Sequence, residues 1–266
     1  MGVAANSYTE MANNRRPSCD TLAERTTACV GDGVQLGIAA CGCLEGPSVS
    51  RESRNLVDVL PTSPRALRDP ELRRRRVDEA KTVESVLELN RLVWRISRRE
   101  RCEDRLPYLD PTYGGVNADV IVLLKAPQAD ADPRRGEGRL ISLDNDDDVA
   151  AVLFDLFAEL GIDRSRCVGW NICPYPTVGF DPNSDELSRG RGDFDAFLRL
   201  LTRPKAILVL GSAVRRGWLD HSFDELLGSE MRVVFGPSPY GIDRRRGARA
   251  SLRESLLDAF ERNADR

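Results

Sequence analysis

Between Val83 and Ile96, apolar residues return every three or four positions, at Val83, Val86, Leu89, Val93 and Ile96. That spacing lines them along one face of a helix. Arg91, Arg95, Arg98 and Arg99 fall off the stripe, so this helix turns its apolar side inward and arginines outward. Beyond Ala118 the pattern changes. Asp119 leads into an apolar run ending at Leu124, as in a strand buried on both faces. Val149 to Leu160 has a helical period and closes at Gly161. Cys167 to Ile172, Lys205 to Leu210 and Met231 to Phe235 read as three further strands. Phe194 to Leu201 predicts a short helix, Gly211 opens another, and Ala248 to Arg262 closes the chain as an amphipathic helix. Strands alternating with helices imply right-handed crossovers. The expected fold class is α/β: a three-layer α/β/α sandwich around a four-stranded, mainly parallel sheet, with an N-terminal helical extension.

The rest of the chain is less regular. Residues 1–53 mix Asn, Ser, Thr and Gly with scattered Cys and hold no period, so a poorly structured segment is expected there. Pro61, Pro64 and Pro70 mark the start of the helical extension, 54–106. Pro107, Pro111, Gly114 and Gly115 separate it from the main domain, 107–266. The net charge of −3 does not advertise a polyanionic partner, so local runs matter more. Arg73 to Arg76 reads equally as a solvated helix face or a phosphate-binding surface. Arg244, Arg245 and Arg246 follow a strand-end loop, where phosphate contact is the stronger reading. Seven cysteines at irregular spacing imply reduced cytosolic thiols. Cys41-Gly42-Cys43 lacks metal-pair spacing, so neither metal nor cofactor is expected. No stretch approaches a membrane span, and a monomer is expected.

Four polar segments sit at or just past strand ends: Leu124 to Gln128, Ser142 to Asp146, Trp170 to Tyr175 and Gly236 to Pro239. In an open α/β sheet the loops at the carboxyl ends of the strands face one crevice. Function should therefore gather there.

Read in order as A-P, S-x-D-N-D, W-N-x-x-P-aromatic and P-S-P, these segments resemble the uracil-DNA glycosylase superfamily. The bacterial branches are nearest, and the likeness runs from about Pro107 onward. The resemblance implies an enzyme that flips one nucleotide out of double-stranded DNA and hydrolyses its N-glycosidic bond. Asn171 matches the base-reading residue, because a carboxamide presents one acceptor and two donors in a plane. Uracil or cytosine fits, according to which way it is flipped. Asp144 and Asn145 match a polar loop that positions water or supports the sugar cation, although helix capping explains such residues equally well. Lys125, Ala126, Pro127, Gln128, Leu140 and Gly236 correspond to the base pocket. Ser238 corresponds to a phosphate contact, Tyr240 or Ile242 to a wedge filling the vacated stack, and Arg244 to Arg246 to further phosphate contacts. Trp170 reads as core, since alternate strand residues face opposite sides.

The chain departs from that family inside the pocket. Gly236 stands where relatives carry a His, and Lys125 and Gln128 stand where close relatives carry Glu and Gly. Ala126 replaces a water-orienting Asp or Asn, and no aromatic lies near Leu140. Two readings follow. One is an active glycosylase rebuilt for a bulky modified pyrimidine, such as hydroxymethylated or glucosylated cytosine of phage DNA, or for uracil. The other is an inactive DNA-binding module on the same fold. A third class, a nucleotide-binding small-molecule enzyme, lacks both G-x-G-x-x-G after the first strand and a P-loop.

Overall fold

A computed structural model describes residues 60–102, 105–127 and 140–261. Residues 1–53 and Gln128, both singled out above, lie outside them. Leu56–Arg266 forms one compact unit, so the helical extension and the sheet share a single body.

Two helices lead the unit, α1 (Pro70–Glu79) and α2 (Glu84–Arg99). Asp69 caps α1 by accepting from the Glu71 amide, and Pro70 occupies the first helical position, where no amide is needed. The stripe on α2 is buried as the spacing predicts: Val86, Leu89, Val93 and Ile96, with Leu92 beside them. Each such side chain contributes roughly 1.5–3 kcal/mol on burial. The outer arginines of α2 are not all solvated. Arg99 clasps the buried Asp193 through two hydrogen bonds of 2.8 and 2.7 Å.

Six strands follow. β1 (Tyr108–Leu109) and β3 (Leu140–Ile141) pair in parallel as a two-stranded ribbon. β2 (Val120–Leu124), β4 (Cys167–Asn171), β5 (Ala206–Leu210) and β6 (Arg232–Gly236) form a four-stranded parallel sheet, ordered β4-β2-β5-β6. Both faces of the central strands are buried. Ile121, Leu123, Val168, Trp170, Ile207 and Val209 share a core with residues of α2, of α4 (Ser184–Leu198) and of α5 (Ser212–Asp220). Val120, Val122, Ala206 and Leu208 share another with residues of α3 (Asp148–Leu160) and α6 (Ala248–Glu261). Trp170 lies in the first core, stacked 4.3 Å from Phe197. Gly169, on the opposite side of the same strand, is needed for close approach. A Cβ there would come within 2.3 Å of Ile141.

α4 starts ten residues before its expected beginning at Phe194. A capping box at its N-terminus, in which Asn183 and Glu186 exchange hydrogen bonds, fixes the earlier start. The arginine run on α1 also differs from a simple solvated face. Arg73, Arg74 and Arg75 keep some exposure, but Arg76 is buried and donates to Asp110 at 3.0 Å and to Asp144 at 3.4 Å. Arg164 donates to the same Asp144 at 2.8 Å. Two arginines and two aspartates thus form a neutral buried cluster.

Removing one partner from a buried ion pair leaves an uncompensated charge. Arg76→Ala is expected to lower the unfolding free energy by about 3–5 kcal/mol in urea titrations. Arg74→Ala, two positions away in the same run, should stay within about 0.5 kcal/mol of the parent.

Candidate active site

The strand order reverses beside β2. From β2 the chain crosses to β4 on one side, then back to β5 on the other. This is the switch point at which open α/β sheets form a crevice beyond their carboxyl ends. A cleft of about 1430 Å³ lies there. It is lined by Lys125, Ala126 and Pro127 after β2, Asn171 at the end of β4, Gly211 and Ser212 after β5, and Ser238, Pro239 and Tyr240 after β6. Three of the four expected segments therefore reach it through these residues, and the fourth reaches it through Ser142, Leu143, Asn145 and Asp146, with Asp147 next to them.

Backbone pairing holds the floor. Asn171 registers against Leu124, and the pairing continues past the strand ends: Leu124 accepts from the Ile172 amide at 2.8 Å, Lys125 from Cys173 at 3.1 Å. Asn171 is only 5% exposed yet lines the cleft, and its carboxamide has no hydrogen-bond partner among the described residues. A buried polar side chain normally finds partners, so this carboxamide, on the lining of a cavity, stands out.

The two loops on the β5 side depend on Gly211. Its φ of +102° is a conformation that side chains with a Cβ rarely adopt, and a Cβ would press on Ser238 at 3.1 Å. Its amide donates to the Gly236 carbonyl at 2.9 Å, so the loops after β5 and β6 run side by side. Ser238 accepts from the Tyr240 amide at 3.2 Å. Arg245 donates to the carbonyls of Ser238 and Tyr240 and so braces this turn. Tyr240 is held 66% exposed at the rim. Arg244 is exposed, lines the cleft and has no side-chain partner among the described residues.

Several expected site residues take other places. Asp144 is fully buried against Arg76 and Arg164 and does not line the cleft, so it is part of the structural ion cluster. Asn145 does line it, with Nδ2 donating to the Leu140 carbonyl at 2.7 Å. Leu140 reaches the cleft as expected. Gly236 does not. A Cβ there would meet Leu210 at 2.9 Å and Ser255 at 3.1 Å, so the position packs toward α6. Ile242 is buried among the residues around α6, so of the two proposed wedges only Tyr240 is free to act as one. Arg246 is exposed but outside the cleft lining.

The acidic loop after β3 contributes three carboxylates that differ in commitment. Asp146 pairs with Arg68 and Arg65, and the hydrogen bonds from Arg68 first, then Arg65, hold its carboxyl below the usual range. Asp147 caps α3, accepting from the Ala150 amide at 2.8 Å, and has no cationic partner among the described residues. Asp148 pairs with Arg65. Asp147 is thus the cleft-lining carboxylate that stays unneutralised. Sequence reading missed it because its neighbours carry the same chemistry. The loop between β4 and α4 was missed as well, and it contributes Thr177, Phe180 and Asp181 to the lining. Lys125 faces that loop: its ammonium donates to the Phe180 carbonyl at 2.6 Å and pairs with Asp181 at 3.2 Å.

Among the described residues no helix is long and apolar enough to cross a membrane. No family model matches the chain, and a search of curated proteins found no match.

Cys173 tests the rigidity of the floor. It is buried two residues after Asn171, and burial pushes its thiol up to about 12. The thiolate is the reactive form, so at pH 8 iodoacetamide should leave Cys173 unmodified in the native chain and label it in urea. Peptide mapping by mass spectrometry reads the difference. Fast native labelling would show that the floor opens.

Proposed function

We propose that this chain is a monofunctional DNA glycosylase of the uracil-DNA glycosylase superfamily, built on a three-layer α/β/α sandwich. It draws one nucleotide from double-stranded DNA into the cleft and hydrolyses its N-glycosidic bond, leaving an abasic site. One observation carries this reading. The Asn that the motif order singles out is buried at the floor of the switch-point cleft, with its carboxamide uncommitted.

The cleft supplies the other requirements of the reaction. As the bond breaks, the sugar gains cationic character and the base gains negative charge. Preorganised groups that match developing charge are usually the largest catalytic contribution. Asn171 pairs with the base edge. Asp147 stands in the role first given to Asp144, supporting the sugar cation or holding the attacking water. Asn145 carries the same loop. Tyr240 fills the gap in the stack, while Ser238 and Arg244 hold phosphates. Lys125 is engaged by Phe180 and Asp181 and is not a Schiff-base nucleophile in this scheme. The substrate is a modified pyrimidine, hydroxymethylated or glucosylated cytosine, or else uracil.

One observation favours the inactive DNA-binding module. Asp144 is sequestered and Gly236 offers no donor, so two positions of the family site are silent.

Incubation with duplexes containing uracil, hydroxymethyluracil, hydroxymethylcytosine or glucosylated hydroxymethylcytosine, followed by alkali, separates the two. Strand breaks at one of these bases are expected. Binding without breaks would establish the module. Asn171→Ala should slow cleavage by about 100-fold or more with the fold intact. Asp147→Asn keeps a good helix cap but removes the charge, so kcat should fall by roughly the same factor with KM little changed. Borohydride should trap no covalent adduct.

A further inference from the structure

The loop joining β4 to α4 displays two apolar side chains to solvent. Val178 is 94% exposed and Phe180 is 86% exposed. Neither is a product of a slack chain, because the loop is braced along its length. Thr177 Oγ1 donates to the Gly179 carbonyl at 2.7 Å, and the Val178 amide donates to Glu186 at 2.9 Å. Lys125 binds the Phe180 carbonyl and Asp181, and Arg216 adds a bond to Asp181 at 3.4 Å. Tyr175 ties the start of the loop to the Glu186 carbonyl at 2.8 Å.

The Phe180 ring itself is oriented. The Lys125 ammonium sits 3.8 Å from its centroid. A cation on a ring occupies a face. The rest of the ring meets water, on a loop that lines the same cleft as Asn171. An aromatic ring with a fixed orientation and an open surface is a stacking platform, and every nucleobase has a π-face that fits one. Tyr240, from the loop after β6, is the other strongly exposed aromatic lining this cleft.

We propose that Phe180 is a second DNA-contacting aromatic, a platform on which a base next to the extruded nucleotide stacks, with Val178 packing beside it. This rests on the glycosylase reading and adds to it the element that holds the neighbouring base. The occupant is a nucleobase because the loop borders the cleft that takes the nucleotide. The cations beside it, Lys125 and Arg216, suit a polyanionic strand.

The test uses the full chain and a duplex carrying a tetrahydrofuran abasic analogue flanked by 2-aminopurine. Wild type should bind this duplex and quench the probe. Phe180→Ala should weaken binding about tenfold, the scale of one base–aromatic stack, and lose the quenching. Phe180→Tyr should restore both. The salt dependence of Phe180→Ala should match wild type, whereas Arg244→Ala should reduce the slope by about one, as for a lost phosphate contact. Phe180 is exposed, so its replacement leaves folding unaffected, and a urea titration checks this. If wild type binds and Phe180→Ala binds within twofold of it, the platform is overturned and the glycosylase reading stands. If wild type neither binds nor cleaves any of the duplexes, that reading falls and this inference falls with it. A wild-type dimer in size-exclusion chromatography that Phe180→Ala converts to monomer would also overturn the platform, by making a second copy the occupant.

Discussion

Charges taken out of water must be paired, and that constraint builds one wall of the cleft. Arg76 and Arg164 converge on Asp144, and Arg76 also reaches Asp110. Asp110 in turn accepts from Thr112 and from the Ser142 hydroxyl, and Ser142 accepts from the Asp144 amide. The cluster joins α1, the turn after β1, the loop after β3 and the turn before β4. An apolar cluster helps: Leu72, Val77 and Ala80 of the α1 segment pack with Leu67, Tyr108 and Leu140. Removing any member of the ion cluster would leave an uncompensated buried charge, which adds to that packing. Arg76 Nε and Asp144 Oδ1 still lack hydrogen bonds, so the arrangement is held at some cost. Its return is a rigid loop from Ser142 to Asp147, which delivers Asn145 and Asp147 to the cleft. The helical extension is therefore part of the site's foundation.

The floor obeys a different rule. Parallel strands place all their carboxyl ends at one edge, and the order β4-β2-β5-β6 splits the loops to either side of β2. Asn171 is the last residue of β4 and registers with the last residue of β2. Its depth follows from backbone hydrogen bonds that continue past both strand ends, to Lys125 and Cys173. A side chain anchored in this way has little freedom, which suits a preorganised hydrogen-bonding group.

The strands were legible because they are buried on both faces and read as unbroken apolar runs. The helix after β3 was legible from its period and from Gly161, which adopts the left-handed conformation at its end. The start of α4 was not, because Gly190 and Gly192 weaken helix propensity over its first half. The signal there was the Asn183–Glu186 capping box. α1 was expected only as part of a helical extension without bounds, because four arginines hide its period; Asp69-Pro70 marks its start. Asn171 and Ser238 reached the cleft as the motif order implies. The choice between Asp144 and Asp147 was beyond sequence reading. Both are aspartates in one short loop, and only the positions of Arg76 and Arg164, one of them 68 residues away, decide which carboxylate is buried. Ile242 and Tyr240 differ in the same manner, since the core around α6 claims the first.

Most polar groups around the cleft are committed to other protein atoms. Lys125 serves the loop after β4, Arg245 the turn after β6, and Asp146 the arginines before α1. On the lining, among the described residues, the Asn171 carboxamide and the Arg244 guanidinium have no protein partner, while Asp147, Arg73 and Arg245 are bonded only to backbone. The internal commitments of the others matter equally, because a group held by its neighbours does not reorganise when charge develops, and preorganisation of that sort is where catalytic advantage lies. On this argument Lys125 is scaffolding, held by Phe180 and Asp181, and the chemistry of the cleft falls to residues that such scaffolding leaves free.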